Sequence, residues 1–261
     1  MAAPVEKTNI VTAIVYDFET GGLEPARCAA TEISLHAVRL DTFEVMENYS
    51  SYIYPYRKKA DIGKPKKKKL RDKYEIQDEE EELMDYDARA LEYSAITMDM
   101  LWSMGKPLED VCREICDFIK RNTFPVVASN KPFLIGQNPL FDKKFLQQIM
   151  LYTGLWDDFC KLVRGDKDFW GNFQPAHLDT IILSQLAFDN DKSVSTWKLE
   201  AMAERLGIDL DDAHNADADV TATREIVRVL TSRMREQGGD GKPTGGLAAD
   251  KREKLRNHFK I

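Results

Sequence analysis

Three short stretches of this sequence carry residue types that can do chemistry together. In Asp17-Phe18-Glu19, alternation along an extended strand places both carboxylates on one face, where oxygen ligands can hold one hard cation. The pattern alone decides nothing. With 44 acidic residues in 261, chance supplies roughly seven acidic-x-acidic triplets. Its weight comes from position, at the end of an apolar run and just before Thr20-Gly21-Gly22-Leu23, a glycine loop expected to let a ligand approach the backbone. The second stretch is Asn138-Pro-Leu-Phe-Asp142-Lys-Lys-Phe-Leu146. Phe141, Phe145 and Ile149 would face a core, leaving Asp142 on the polar side of a helix's first turn, where the helix dipole by itself also favours a carboxylate. The third is His214-Asn-Ala-Asp217-Ala-Asp219-Val-Thr-Ala-Thr223. A histidine just ahead of a helix and an aspartate five residues on can both point into one cleft, with Asp217 competing with Asp219 as a metal ligand.

These groups need elements to hold them. Residues 10–16, Ile-Val-Thr-Ala-Ile-Val-Tyr, read as a mostly buried strand, and residues 31–40 and 43–54 as two more. Helical periodicity runs over about 107–121, with Leu108, Val111, Cys112, Ile115, Phe118 and Ile119 on one stripe. Two short apolar segments follow, Val126-Val127-Ala128 and Phe133-Leu134-Ile135, then helices at about 140–152, 178–188, 196–206 and 216–236. Three strands leading into alternating helices and strands argue for one α/β sandwich around a mixed sheet.

The chain has 261 residues, 43% hydrophobic and 31% charged. That is ample for a real core and excludes collagen, coiled coil and global disorder. No apolar run approaches a membrane span, and the N-terminal residues lack a signal-peptide plan, so a cytoplasmic protein without membrane contact is expected. Cys28, Cys112, Cys116 and Cys160 form no C-x-x-C pair or zinc pattern, and Cys112 and Cys116 read as small buried apolar residues. The net charge of −7 excludes holding nucleic acid by bulk positive charge. Such a function must rest on a local basic patch or on metal ions that invert the sign of an acidic site.

Two segments stand outside the core pattern. Arg57 to Lys73 carries ten basic and two acidic residues, and Glu75 to Asp87 eight acidic and none basic. The block at about 57–88 reads as a charged insertion, either solvated or, through Lys66 to Lys69, a phosphate-gripping arm. Residues 237–261 read as a flexible linker with Gly238, Gly239, Gly241, Gly245 and Gly246, followed by a basic tail, Lys251 to Ile261, with Leu255, Phe259 and Ile261 as apolar points. The tail is either floppy or a partner-binding peptide.

In order and spacing, Asp17-x-Glu19-Thr-x-Gly-Leu23, Asn138-x-x-Phe-Asp142-x-x-Phe-Leu and His214-x-Ala-x-x-Asp219-x-x-Ala-Thr resemble the three motifs of DEDDh exonucleases. This is the DnaQ-like group of polymerase proofreading exonucleases, RNase T, oligoribonuclease and bacterial exonuclease I. Ser94-Ala-Ile-Thr97, Leu178-Asp-Thr-Ile181 and Lys198 to Ile208 resemble it too, so the similarity covers about Ile10 to Leu230. Departures are Gly21 where the family often has a second threonine, Gln137 where histidine is frequent, and Pro139.

The resemblance implies an RNase H-like three-layer α/β sandwich, with a central mixed five-stranded sheet flanked by helices, spanning residues 1–236. It implies a 3′→5′ exonuclease that releases nucleoside 5′-monophosphates, mainly from single-stranded DNA. RNA 3′ ends are the alternative substrate, and a non-catalytic nucleic-acid-binding module the alternative class. Asp17, Glu19, Asp142 and Asp219 would hold two divalent ions, Mg²⁺ or in substitution Mn²⁺, with His214 as general base. Phe18, Thr20, Leu23 and Asn138 would contact substrate. A polymerase or other replication or repair partner would dock on the C-terminal tail. Asp179 is expected to be structural, and Gln185-Leu-Ala-Phe188, which faintly resembles a sliding-clamp peptide, is expected to be buried in its helix.

Overall fold

Alternating apolar residues in the first 50 described positions build three consecutive strands, β1 (Thr12–Thr20), β2 (Ala30–Arg39) and β3 (Val45–Tyr52). This computed structural model describes residues 10–59, 82–124, 130–210 and 215–237. After the three strands come α1 (Ala88–Tyr93), α2 (Met98–Met104), α3 (Leu108–Arg121), β4 (Phe133–Gly136), α4 (Pro139–Thr153) and α5 (Trp156–Leu162). A small hairpin, β5 (Gly165–Lys167) with β6 (Phe173–Pro175), leads into β7 (His177–Asp179), α6 (Thr180–Phe188), α7 (Leu199–Leu206) and α8 (Ala216–Gln237).

The main sheet has five strands in the order β3-β2-β1-β4-β7. β1–β2 and β2–β3 are antiparallel, β1–β4 and β4–β7 parallel. The mixed five-stranded α/β sandwich implied by the resemblance is therefore the fold. Each face of the sheet is covered by helices because β1 is apolar on both sides. Ile14, Tyr16 and Phe18 join Ile115, Phe118, Phe145 and Ile149 of α3 and α4 in one core. Ala13 and Val15 join Val220, Ile226, Val227 and Leu230 of α8 in the other. Phe118 and Phe145 are fully buried, each stabilising the fold by roughly 1.5–3 kcal/mol.

Several expectations shift. The helix expected at 178–188 begins two residues later, because Leu178 and Asp179 pair with β4 and Asp179 then accepts the Ile181 N–H at 2.9 Å as the α6 cap. Asp179 also accepts the Asn138 N–H at 3.2 Å, a scaffold role. The expected burial of Gln185 to Phe188 is overturned: Leu186 is 71% exposed. α6 turns only Thr180, Leu183 and Ser184 inward, so Ile182 and Leu186, one turn apart, face outward. The segments Lys66–Lys69, Val126–Ala128, His214 and 238–261 lie outside the described residues. At the described roots of the charged block, Lys58 N–H donates to the Glu82 carbonyl at 2.8 Å and Lys58 Nζ lies 2.8 Å from Asp85. No described helix is long and apolar enough to cross a membrane.

Candidate functional site

The site begins where the apolar pattern of β1 ends. On the α8 side of the strand, Ala13 and Val15 are fully buried, and the next two positions on that face are Asp17 and Glu19. α8 crosses the same face and supplies Asp219 in its first turn. One carboxylate oxygen from each of Asp17, Glu19 and Asp219 can be chosen so that all lie within 4.8 Å of one another.

Asp142 arrives from the other layer. Asn138, in the left-handed region (φ 54°, ψ 49°), turns the chain out of β4, and Pro139 starts α4. The Tyr16 hydroxyl donates to the Pro139 carbonyl at 3.0 Å, fixing the helix start against β1. Asp142 is then only 3% exposed, and its Oδ1 accepts the Phe18 N–H at 3.2 Å. Of the two candidates Asp217 and Asp219, it is Asp219 that joins the acid cluster. Asp217 Oδ1 accepts from Ser34 Oγ at 3.1 Å and lies 3.0 Å from His36 Nε2, turned onto β2 and away from the acid cluster.

Burial and mutual repulsion make these carboxylates hard to ionise. Burial, reinforced by Asp142, Glu19, Asp219 and Glu32, holds the Asp17 carboxyl well above its ordinary range. Glu19 is pushed up to about 8, first by burial and then by Asp219, Glu32 and Asp142. Burial pushes Asp142 to about 7 against the hydrogen bond from Phe18 N–H. The charged neighbours acting on Asp17 and Glu19 are all carboxylates. A compact, all-oxygen set of this kind fits hard divalent cations, which remove the repulsion that ionisation creates.

Asp17, Phe18, Glu19, Thr20, Leu23, Asn138, Asp142 and Asp219 all line one cleft of about 1470 Å³. Leu23 stands 81% exposed at its mouth. Phe18 offers little area, since its ring packs edge-on against Tyr16 at 6.4 Å between centroids. The Thr20 hydroxyl donates to the Gly22 carbonyl at 2.9 Å and so braces the loop. Gly22 lines the cleft as well, and both glycines make room for neighbouring parts of the chain. A Cβ on Gly21 would lie 2.7 Å from the Asp85 carbonyl, and one on Gly22 would lie 2.6 Å from Cys28 Sγ. The space their missing side chains free is taken up by the Asp85 carbonyl and the Cys28 thiol.

Sequence reasoning missed Arg27, Arg89, Tyr93, Trp197 and Lys198, which complete the cleft walls. Tyr93 senses the acids: burial, then Glu200, Asp219 and Glu19, raise its pKa. Trp197 is held by Gln137, whose side-chain amide donates to its carbonyl at 2.8 Å. The only available signal was adjacency, Tyr93 preceding Ser94-Ala-Ile-Thr97 and Trp197 preceding the Lys198–Ile208 stretch.

Comparison with known proteins agrees with this architecture. Residues 14–227 match the RNase_T family, described as exonucleases. A DNA polymerase III of PolC type from Clostridium perfringens (strain 13 / Type A) is 23% identical over 225 residues, covering 86% of this chain but 11% of that protein. E. coli exonuclease I in complex with a dT13 oligonucleotide superposes with a TM-score of 0.60 at 18% identity, over 87% of this chain and 42% of that one. The zinc-ion-bound form of the E. coli ExoI–ssDNA complex gives 0.59 at 17% identity, over 86% and 41%. At these identities the likeness establishes the fold, and this chain spans less than half of each relative.

Proposed function

The chain belongs to the RNase_T exonuclease family, in its DEDDh, DnaQ-like group, and from that premise we propose that it is a metal-dependent 3′→5′ exonuclease acting mainly on single-stranded DNA. The observation that carries the proposal is the convergence of Asp17, Glu19 and Asp219, with Asp142 buried beside them, in one open cleft. Asp17, Glu19, Asp142 and Asp219 would hold two divalent ions, Mg²⁺ with Mn²⁺ able to substitute. Bound there, such ions would supply charge stabilisation for the attacking and leaving oxygens of an in-line phosphodiester displacement.

The remaining work falls to the protein. His214, outside the described residues, would accept the proton of the attacking water on an imidazole nitrogen. Leu23 would cap the terminal base, Thr20 and Asn138 would border the terminal sugar, and Phe18 would floor the subsite. Arg27, Arg89 and Lys198 would meet substrate phosphates along the cleft. Apolar contact accepts any base, which suits release of nucleoside 5′-monophosphates regardless of sequence. The likeness to a stretch of a PolC-type polymerase supports a replication or repair partner, for which the 251–261 tail is the proposed contact, in a cytoplasmic setting.

The test is digestion of matched 5′-labelled single-stranded DNA and RNA with Mg²⁺, with Mn²⁺ and with chelator, alongside Asp17→Ala. The expected result is a metal-dependent ladder shortening from the 3′ end, faster on DNA and absent in the variant. Faster digestion of RNA would reassign the substrate. Failure to cleave either strand would sink the proposal.

A further inference from the structure

β2 presents Glu32, Ser34 and His36 at alternate positions on the face that α8 covers, and their cross-strand partners on β1 are Glu19, Asp17 and Val15. All three are buried, at 5%, 0% and 5% exposure, and all three engage the start of α8. The Glu32 carboxylate accepts the Ala216 backbone N–H. Ser34 Oγ donates to Asp217 Oδ1 at 3.1 Å, and His36 Nε2 lies 3.0 Å from the same oxygen. Ser50 on β3, opposite Ser34, extends the row by donating to Ser34 Oγ at 2.9 Å. From the helix's own side, Asn215 Oδ1 accepts the Asp217 and Ala218 N–H groups at 3.1 and 3.3 Å.

Buried polar groups left without partners are costly, so this row favours one height and one rotation of α8 over the sheet. Asp219 follows Asp217 by two helical residues, which points it elsewhere, but a helix turn is rigid and fixing one fixes the other. We propose that Glu32, Ser34 and His36 of β2, together with Asp217, form a positioning ladder that sets α8 so that Asp219 closes the acid cluster with Asp17 and Glu19. These four are positioning residues, not ligands or reacting groups. The inference rests on the proposed function only in treating that cluster as the divalent-ion site.

The direct measurement is calorimetric titration of the nucleic-acid-free protein with Mn²⁺ and with Mg²⁺, comparing wild type, Asp217→Ala, Asp217→Asn and Ser34→Ala. Asp217→Ala should weaken ion binding roughly tenfold or more, as loss of groups supporting a metal ligand does elsewhere, while Asp217→Asn, which keeps an acceptor oxygen, should stay within about threefold. Ser34→Ala removes one donor without disturbing α8's own sequence and should fall between them. In activity assays, excess Mg²⁺ should restore the Asp217→Ala rate, a recovery that simple misfolding would not give. Unchanged ion affinity in Asp217→Ala and Ser34→Ala, with wild type digesting DNA, would overturn the ladder and leave the exonuclease reading intact. A wild type that takes up no ion would overturn both.

Discussion

Glu19 and Asp142 meet opposite demands at different pH values. Their pKa values are raised from the ordinary 4.5 and 3.8 to about 8 and about 7, by burial first and, for Glu19, by the neighbouring carboxylates as well. Between those limits each of the two carboxyls holds its proton more firmly in the folded, ion-free protein than in the unfolded chain. Their contribution to stability therefore falls as pH rises from about 4 to about 8, since stability rises with pH only where the unfolded state holds the extra protons. Divalent ions bound as proposed would offset the trend by giving the ionised acids a partner. Thermal melts at pH 5, 6, 7 and 8 should show a falling Tm in chelator and a flatter profile in Mg²⁺. Asp142→Asn should flatten the chelated profile as well. Chelated melts indifferent to pH would mean that these acids ionise in the fold at no cost.

The junction of β4 with α4 is where element geometry becomes site geometry. Tyr16→Phe keeps the ring in the core and deletes only the donor to the Pro139 carbonyl. It should cost about 1–2 kcal/mol, seen as a lower urea midpoint at unchanged slope. At this scale the sequence was legible wherever a period was long enough to read. α3, with Val111, Cys112, Ile115, Phe118 and Ile119 buried, lies at 108–121 against an expected 107–121. α1, α2 and α5 were not legible: at six or seven residues each shows too little period. α1 and α2 are set by caps, Asp87 accepting from Arg89 and Ala90 N–H groups and Thr97 from Met100 N–H. Asp17, Glu19 and Asp142 could be placed from strand alternation and helix phase. Asp217 and Asp219 could not be told apart, because spacing gives a helix its phase but not its rotation against a sheet. Arg89 and Trp197, 108 positions apart in the chain, meet in the cleft only through the tertiary fold.

For the molecule as a whole, a net charge of −7 makes long-range attraction of nucleic acid weak, so affinity must come from local contacts, and the cleft offers Arg27, Arg89 and Lys198 for them. Arg89→Ala should weaken binding of a cleavage-resistant 3′-phosphorothioate oligonucleotide in Mg²⁺ about equally for every sequence and reduce the salt slope by roughly 1. An unchanged slope in an anisotropy salt series would remove Arg89 from the phosphate path. The order of the elements carries a further consequence. Asp17 and Glu19 lie on the first strand and Asp142 on the fourth helix, but Asp219 lies on the last helix described. A chain still being synthesised, extended only through α7, holds three of the four acids and lacks the one that closes the cluster. If the four acids are the ion site, that site can close only after synthesis has passed α7 and α8 has docked on the sheet.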